Sequence, residues 1–259
     1  MPAELQSASH GRTMVLTISN PEQRNALGPD IYAAGVEALI AADSNPEVRS
    51  VVITGAGGMF CAGGNLQRLQ AMRTGPKEIL DQGPAGLHAW IEEIRSFPKP
   101  VIAAVEGAAA GAGFSLALAC DFIVAAENAT FVMAYANIAL SPDAGGSWFL
   151  SRAMPRQLAS ELLMCAERIA PARLKELGLV NRVTPAGGAL DEALAFAERL
   201  NDRAPNAVAS VKELLNDAPA QPLLKHLDAE RTHFVDNLRH ANAGIGIDAF
   251  LAKKPPRFE

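Results

Sequence analysis

Two glycine-rich segments of the 259-residue chain each follow a run of apolar, mostly β-branched residues that is typical of a buried strand. These two units are Val51–Gly64 and Val101–Gly113. A glycine turn between a strand and a helix exposes main-chain N–H groups at the helix N-terminus, where the helix dipole adds positive potential. Two such turns that converge would form an oxyanion hole, because residues without bulk let a planar carbonyl approach closely. Tight packing turns are the alternative that spacing alone leaves open.

Neither glycine segment fits a nucleotide-binding motif. A P-loop requires lysine after its last glycine, and the dinucleotide fingerprint requires glycine at its sixth position; both segments lack these residues. The sequence Gly113–Ala117 does resemble the nucleophile elbow of α/β-hydrolases, although alanine replaces the last glycine. Asp143 and His226 follow Ser115 in the order that those enzymes use. A serine hydrolase that uses Ser115 is therefore an open alternative.

The composition is that of a globular protein, with 49% hydrophobic and 20% charged residues and a net charge of −5. This acidic balance argues against a nucleic-acid binder, which usually carries a basic face. Three cysteines without a C-x-x-C spacing favour a reduced environment, so we expect a cytoplasmic protein. The N-terminal residues lack the apolar core of a secretory signal. We expect no membrane association, because the longest apolar run, Gly107–Cys120, is shorter than the roughly 20 residues that span a bilayer.

Short β-branched runs alternate with helical periodicity through much of the chain, which indicates an α/β fold. We predict strands at 14–18, 50–54, 101–105, 122–126, 131–133, 138–141 and 180–183. We predict helices at 31–42, 115–119, 147–154, 157–168, 190–201, 206–216 and 222–239. The chain is accordingly divided into a core at 1–200 and a helical region at 201–259. Glycine and proline make 72–86 the stretch most prone to move, either as a surface excursion or as a lid.

Apolar residues recur at helical spacing in the first and the last of these predicted helices. In the first helix, the residues near one face are Ile31, Val36, Leu39 and Ile40. In the last helix, the apolar positions are Leu223, Leu224, Leu227, Phe234 and Leu238.

Five segments carry a resemblance to a known family. Asn20–Leu27, Gly55–Leu66 and Gly107–Gly113 look like the three signature segments of the crotonase (enoyl-CoA hydratase/isomerase) superfamily, and 177–183 and 250–258 resemble its later segments. The resemblance covers essentially the whole chain in the right order. It implies an α/β crotonase fold, a ClpP-like ββα superhelix with a helical C-terminal trimerisation region. It further implies an acyl-CoA substrate, a homotrimer or hexamer (a dimer of trimers), no metal, and no cofactor besides the coenzyme A that the substrate carries.

The resemblance also implies roles for individual residues. The main-chain N–H groups of Gly64 and Ala112 would bind the thioester oxygen. Phe250 and Lys253 match positions that reach the coenzyme A of a neighbouring subunit, although a solvated basic tail is the alternative for Lys253. The positions that line the coenzyme A groove in the family are here Arg24, Ala26, Ala62, Asn65 and Leu66.

Two positions depart from the family's hydratases, which use two glutamates to hold and split a water molecule. Ser115 and Tyr135 stand at these positions, so a hydratase built on that pair is in doubt. They would instead shape the acyl pocket or bind a substrate oxygen. The remaining carboxylate near both loops is Asp143, in the turn Ser141–Gly146, where capping the next helix is its alternative role. An aspartate here resembles isomerases of the superfamily, especially the ring-epoxide isomerase type of phenylacetate degradation.

The sequence therefore predicts an enzyme that isomerises an enoyl-CoA, or a ring-epoxide acyl-CoA, through an enolate. One carboxylate, Asp143, would remove a proton and return it two carbons away. Hydration of a 2-enoyl-CoA is the first alternative, because water addition can persist with altered acids. A non-catalytic relative that binds acyl-CoA or RNA is another, and the acidic net charge counts against RNA.

Overall fold

The computed structural model describes residues 3–258, which form eight strands and eleven α-helices. The strands are β1 (Glu4–His10), β2 (Thr13–Ser19), β3 (Ser50–Gly55), β4 (Val101–Val105), β5 (Ala108–Ala110), β6 (Phe122–Ala126), β7 (Thr130–Val132) and β8 (Arg182–Thr184). The helices are α1 (Pro29–Ser44), α2 (Leu66–Met72), α3 (Lys77–Ser96), α4 (Ala112–Ala119), α5 (Gly146–Ala153), α6 (Arg156–Ser160), α7 (Pro171–Glu176), α8 (Ala189–Asn201), α9 (Pro205–Asp217), α10 (Leu223–Arg239) and α11 (Ala241–Leu251).

Six strands form one sheet in the order β1-β2-β3-β4-β6-β8, and β5 pairs with β7 in a separate two-stranded sheet. β1 and β2 are antiparallel, and the other pairs are parallel. Parallel strands are normally covered on both faces, which explains the near-continuous apolar character of β3 and β4. Val52 and Ile102 pack against α8 on one face, whereas Val51 and Ile53 share a core with α1 and α3 on the other. The α/β class predicted from the sequence is confirmed.

Two predictions around the glycine segments are wrong in secondary structure. The predicted strand at 138–141 is instead a turn, because Ala139 has a left-handed φ of +57° that a strand does not accept. The glycine-alanine segment before Gly113 is not wholly a loop, since Ala108–Ala110 is strand β5. Its partner Thr130–Val132 is distant in sequence, and no local pattern reports such pairing. The elements β1, α2, α3, α7 and α11 were not predicted at all.

Two further helix predictions need correction. In place of the helix predicted at 157–168, α6 ends at Ser160. A π-helical turn, Glu161–Cys165, follows it. Ile40, which the periodicity places near the inner face of α1, is 54% exposed. The core-facing residues of that helix include Ile31 and Leu39, both fully buried.

The stretch 72–86 is mostly helical despite its glycines and prolines. α2 ends at Met72, and α3 begins at Lys77 and contains Pro84. Gly86 packs so closely on Tyr32 of α1 that a Cβ atom there would lie 3.3 Å from the ring carbon Cδ2. The stretch therefore joins the helical layer over the core, and a role as a lid stays a prediction.

A buried ion pair ties the C-terminal region to the sheet. Lys212 of α9 donates to Asp121 Oδ2 at 2.7 Å and to the main-chain oxygen of Ile94 at 2.9 Å. The same carboxylate oxygen accepts the N–H of Val101 at 2.8 Å. Burial lowers the pKa of Lys212 and raises the pKa of Asp121, so the loss of hydration outweighs the attraction between the two charges.

The division into regions 1–200 and 201–259 stays a prediction.

Most apolar residues of α10 are exposed in the part of the chain that the structure describes. No residue of α10 is buried in the described structure, although the helix contacts α9 and α11. Its exposed apolar side chains are Leu223, Leu224, Leu227, Phe234, Val235 and Leu238. Within residues 3–258, no helix is both long and apolar enough to cross a membrane.

Candidate active site

The two glycine segments lie side by side. The N–H of Cys61 donates to the oxygen of Ala108, and the N–H of Ala110 donates to the oxygen of Cys61, each at 2.9 Å. Gly63 has a φ of +99°, and a Cβ atom there would lie 2.7 Å from Ala110 O and 3.5 Å from Ala112 N. Glycine is therefore required at this position both by conformation and by the closeness of the second segment.

Two main-chain donors are free where these segments meet. Among the hydrogen bonds within residues 3–258, none uses the N–H of Gly64 or of Ala112. Ala112 is the first residue of α4, where an α-helix leaves its N–H groups without intrahelical partners. The chain on both sides of Gly64 is fixed by Leu27, which donates to Gly63 O at 2.7 Å and accepts from Asn65 N at 3.3 Å. Two free donors on adjacent, restrained segments are what the predicted oxyanion hole requires.

Asn25 holds the first signature segment against the glycine turn, a role that the sequence analysis missed. Its side chain is fully buried and donates to the main-chain oxygens of Ala56 at 2.8 Å and Met59 at 2.6 Å. Its Oδ1 atom accepts the N–H of Asn20 at 2.9 Å. The signal available in the sequence was an asparagine inside a turn, since asparagine tolerates the left-handed φ of +57° found here.

The five predicted groove residues belong to the first signature segment and to the end of the first glycine segment, which contact each other. The N–H of Ala62 donates to Arg24 O at 3.0 Å, which joins the two chain segments. Ala26 is buried, whereas Arg24 and Leu66 are exposed. Asn65 caps α2 by accepting a main-chain N–H at its side-chain oxygen. The structure thus joins the segments that carry these residues, and their contact with coenzyme A stays a prediction.

Phe250 and Lys253 do not join this cluster in the single chain. Phe250 lies at the end of α11 and is 83% exposed, and Lys253 lies in the exposed turn that follows. Both side chains are therefore accessible to a neighbouring chain, as the predicted role requires.

Two side-chain hydroxyls hold Asp143 near the N-terminal turn of α4. Tyr135 Oη donates to Asp143 Oδ1 at 2.5 Å, and Ser115 Oγ donates to the main-chain oxygen of Asp143 at 3.2 Å. Ser115 belongs to the first turn of α4, three residues after Ala112. Gly146 permits this approach, since a Cβ atom there would lie 2.6 Å from Ser115 Oγ. The main chain of Asp143 is thus bonded to the first turn of α4, the helix that begins at Ala112.

Burial and the charge of Asp143 determine the protonation of the groups around it. Burial, together with the adjacent carboxylate, raises the pKa of Tyr135 well above its usual range, so the phenol keeps its proton and acts as the donor. Tyr32 of α1 was missed by the sequence analysis. Burial first, and then the charge of Asp143, raise the pKa of Tyr32 to about 12, although no hydrogen bond joins the two side chains within residues 3–258. Burial raises the pKa of Cys61 to about 12, so its thiol stays protonated at neutral pH.

The structure does not support a serine hydrolase. Ser115 is fully buried, and its hydroxyl contacts the Asp143 main chain and, at 3.5 Å, Tyr135 Oη. His226 lies on α10 and pairs instead with Glu230 at 3.6 Å. A serine nucleophile needs a base within hydrogen-bond reach, and no histidine of the described residues bonds to Ser115.

A cavity of about 980 Å³ opens next to the Asp143 turn. Ala144 and Gly145 form one wall together with the aromatic rings of Trp148 and Phe149 at the start of α5. Residues of α3 and α9 form the opposite wall. The lining combines these aromatic rings with charged side chains, among them Arg95 and Glu213, and Asp143 itself does not line the cavity.

The contact between the two segments predicts a large effect of a single methyl group at Gly113. A Cβ atom at this position would lie 2.5 Å from Cys61 O and 2.9 Å from Cys61 Sγ. We expect Gly113→Ala to push the segments apart and to lower kcat/KM about 10²-fold, because the two donors would no longer converge. Gly244→Ala is the matched control, since nothing lies within 4 Å of its Cβ position. Steady-state kinetics test this, and unchanged kinetics of Gly113→Ala would show that the donors are not used.

The parallel sheet with its paired strand–glycine turn–helix units is the crotonase fold. The chain belongs to the enoyl-CoA hydratase/isomerase family, whose model matches residues 9–259. The predicted family and fold are therefore confirmed.

Named relatives differ in the reaction that they catalyse. The chain is 34% identical over 246 residues to the 1,2-epoxyphenylacetyl-CoA isomerase of Escherichia coli (strain K12), covering 95% of this chain and 94% of that protein. It is also 34% identical over 260 residues to the carnitinyl-CoA dehydratase of Salmonella paratyphi A, covering 99% and 98%. A crystal structure described as an enoyl-CoA hydratase from Polaromonas sp. JS666 is 64% identical, with a TM-score of 0.98 and coverage of 99% and 100%. The family is thus shared, whereas the specific reaction varies among these proteins.

Proposed function

We propose that this enzyme isomerises an acyl-CoA thioester, either an enoyl-CoA or a ring-epoxide acyl-CoA, through an enolate. The observation that carries this proposal is the position of Asp143. Its carboxylate accepts from Tyr135, and its main chain accepts from Ser115 in the first turn of α4, whose first residue, Ala112, has a free N–H. Ser115 and Tyr135 stand at the two positions that hold glutamates in the hydratases. One carboxylate next to an oxyanion hole suits a proton transfer that begins and ends on the same substrate.

The proposed reaction on a 3-enoyl-CoA has two steps. Asp143 removes a proton from C2, and the electron pair moves onto the thioester oxygen, where the N–H groups of Gly64 and Ala112 stabilise the negative charge. The protonated Asp143 then returns the proton to C4, the double bond ends between C2 and C3, and the carboxylate is regenerated. Each oxyanion donor contributes on the order of 10²- to 10³-fold in rate. No cofactor other than the substrate's own coenzyme A takes part.

Hydration of a 2-enoyl-CoA is the second candidate function. It is favoured by the 64% identity to a chain described as an enoyl-CoA hydratase. Water addition needs a group that positions the nucleophile as well as one that transfers protons. Within residues 3–258, Tyr135 occupies Oδ1 of Asp143 and no second carboxylate bonds to this cluster, so the geometry supports isomerisation better.

Product identity separates the two candidates directly. The enzyme is incubated with a 3-enoyl-CoA and, separately, with a 2-enoyl-CoA, and the products are separated by chromatography. We expect interconversion of the two enoyl-CoA species without accumulation of 3-hydroxyacyl-CoA. Rapid formation of 3-hydroxyacyl-CoA from the 2-enoyl substrate, without double-bond migration, would contradict the proposal.

We further propose that the enzyme assembles as a homotrimer or a dimer of trimers through the exposed apolar residues of α10. Burial of these side chains between subunits would remove a large apolar surface from water.

We expect Phe234→Glu to shift the protein to smaller species in sedimentation velocity, because a buried charge at this position opposes assembly. Lys225→Glu, on the same helix at an exposed polar position, is the control and should leave the assembly unchanged. A wild-type monomer at micromolar concentration would contradict the assembly.

A further inference from the structure

We propose that Tyr135 is a positioning residue that holds one oxygen of Asp143, so that the other oxygen alone carries the proton. This inference rests on the proposed function of Asp143. It replaces the expectation that Tyr135 contacts the substrate. Ser115 would support the same arrangement by binding the main chain of Asp143. The two positions that differ from the hydratase glutamates would then both serve the single remaining acid.

Three contacts close a compact network around the acid. Tyr135 Oη donates to Asp143 Oδ1 at 2.5 Å, Ser115 Oγ donates to Asp143 O at 3.2 Å, and the two hydroxyl oxygens lie 3.5 Å apart. Ser115 and Tyr135 are both buried, which keeps water from competing for these bonds. Side chain and main chain of the acid are thus each held by a separate hydroxyl.

The turn that carries Asp143 restrains its main chain but not its carboxylate. Ala144 and Gly145 follow with left-handed φ values of +50° and +78°, and Ala144 is buried. The carboxylate itself still rotates about two side-chain bonds unless a partner fixes it. Among the described residues, the Tyr135 hydroxyl is the partner that bonds to its oxygens. Removal of this hydroxyl would therefore free the reacting group without changing the turn.

A fixed carboxylate has two consequences for the reaction. The oxygen that receives a proton from C2 must also reach C4, and small misplacements of a reacting group cost up to about 10²-fold in rate. The oxygen that accepts from Tyr135 is also less able to orient a water molecule, which disfavours addition of water and exchange of the carried proton. Tyr135 would thus promote transfer of the proton from C2 to C4 and suppress its exchange with solvent.

The test uses Tyr135→Phe in the full-length enzyme with a 3-enoyl-CoA that carries deuterium at C2. We expect kcat to fall about 10- to 100-fold with KM within about twofold, because the substrate does not contact the lost hydroxyl. We also expect less deuterium at C4 of the product, because the freed carboxylate exchanges with water before it returns the label. A merely structural role would not change this label transfer. Ser44→Ala is the control, since it removes an exposed hydroxyl at the end of α1 that donates to the main-chain oxygen of Ile40, and both readouts should stay unchanged.

Two further variants keep the outcomes distinct. Ser115→Ala removes the hydrogen bond to the Asp143 main chain. We expect it to lower kcat and the transfer of deuterium to C4, each by a smaller factor than Tyr135→Phe. This variant tests the inference even if Tyr135→Phe does not fold. This inference would be overturned if Tyr135→Phe kept the wild-type kcat and label transfer, or if only its KM rose. The proposed function would still stand in that case, provided that Asp143→Asn is inactive. A fully active Asp143→Asn would instead overturn the proposed function.

Discussion

Replacement of Asp143 by asparagine should abolish isomerase turnover while leaving the protein folded and able to bind acyl-CoA. The amide keeps the size of the side chain and an oxygen that accepts from Tyr135, but it does not accept the substrate proton. General acid–base catalysis contributes about 10²- to 10⁴-fold, so we expect kcat to fall within or beyond that range with little change in Kd. Steady-state kinetics and isothermal titration with a non-reactive acyl-CoA measure the two quantities.

A matched control separates this effect from a general loss of charge. Glu37→Gln, on the exposed face of α1, removes one carboxylate without a contact to the site, and its kinetics should equal those of the wild type. The thermal midpoint of Asp143→Asn should stay close to that of the wild type. Turnover of Asp143→Asn within about tenfold of the wild type would exclude the proposed proton transfer.

The second large effect is on stability, at the buried pair between Lys212 and Asp121. Lys212→Met keeps the length of the side chain but leaves the Asp121 carboxylate buried without its cation. Breaking such a pair from one side costs about 3–5 kcal/mol in the free energy of unfolding. The urea midpoint at fixed protein concentration measures this, and the exposed Lys225→Met is the control.

The double variant Lys212→Met/Asp121→Asn tests whether the unpaired charge of Asp121 causes the loss of stability. Burial disfavours both charges, as the opposite pKa shifts of the two groups indicate. The asparagine retains an oxygen for the N–H of Val101, so the double variant should regain most of the lost stability. A double variant as unstable as Lys212→Met alone would show that the lost hydrogen bonds, and not the unpaired charge, dominate.

The parts of the fold that follow local rules were predictable. β4 and β6 lie where their β-branched runs place them, and the turns at Gly64 and before Ala112 have the free N–H groups that strand–glycine–helix units offer. These features depend on residues that are close in sequence. The same holds for α9 and α10, whose bounds differ from the predicted ones by one residue.

The parts that depend on distant contacts were not predictable. Asp121 and Lys212 are 91 positions apart, and no pattern in either segment reports their pairing. Tyr135 and Asp143 are only eight positions apart, but the chain between them includes the left-handed residue Ala139, which reverses its direction in a way that alanine rarely adopts. The sequence therefore singled out the carboxylate as a candidate, whereas the hydroxyl that binds it was visible only in the structure.

Isotopic water tests the central claim most directly. The enzyme converts a 3-enoyl-CoA in water enriched in heavy oxygen, and the mass of the thioester product is followed with time. Transfer of a proton by one acid predicts a 2-enoyl product that contains no heavy oxygen at any time. Accumulation of a product that carries heavy oxygen at C3 at the rate of turnover would show that water is a reactant, which would contradict the account.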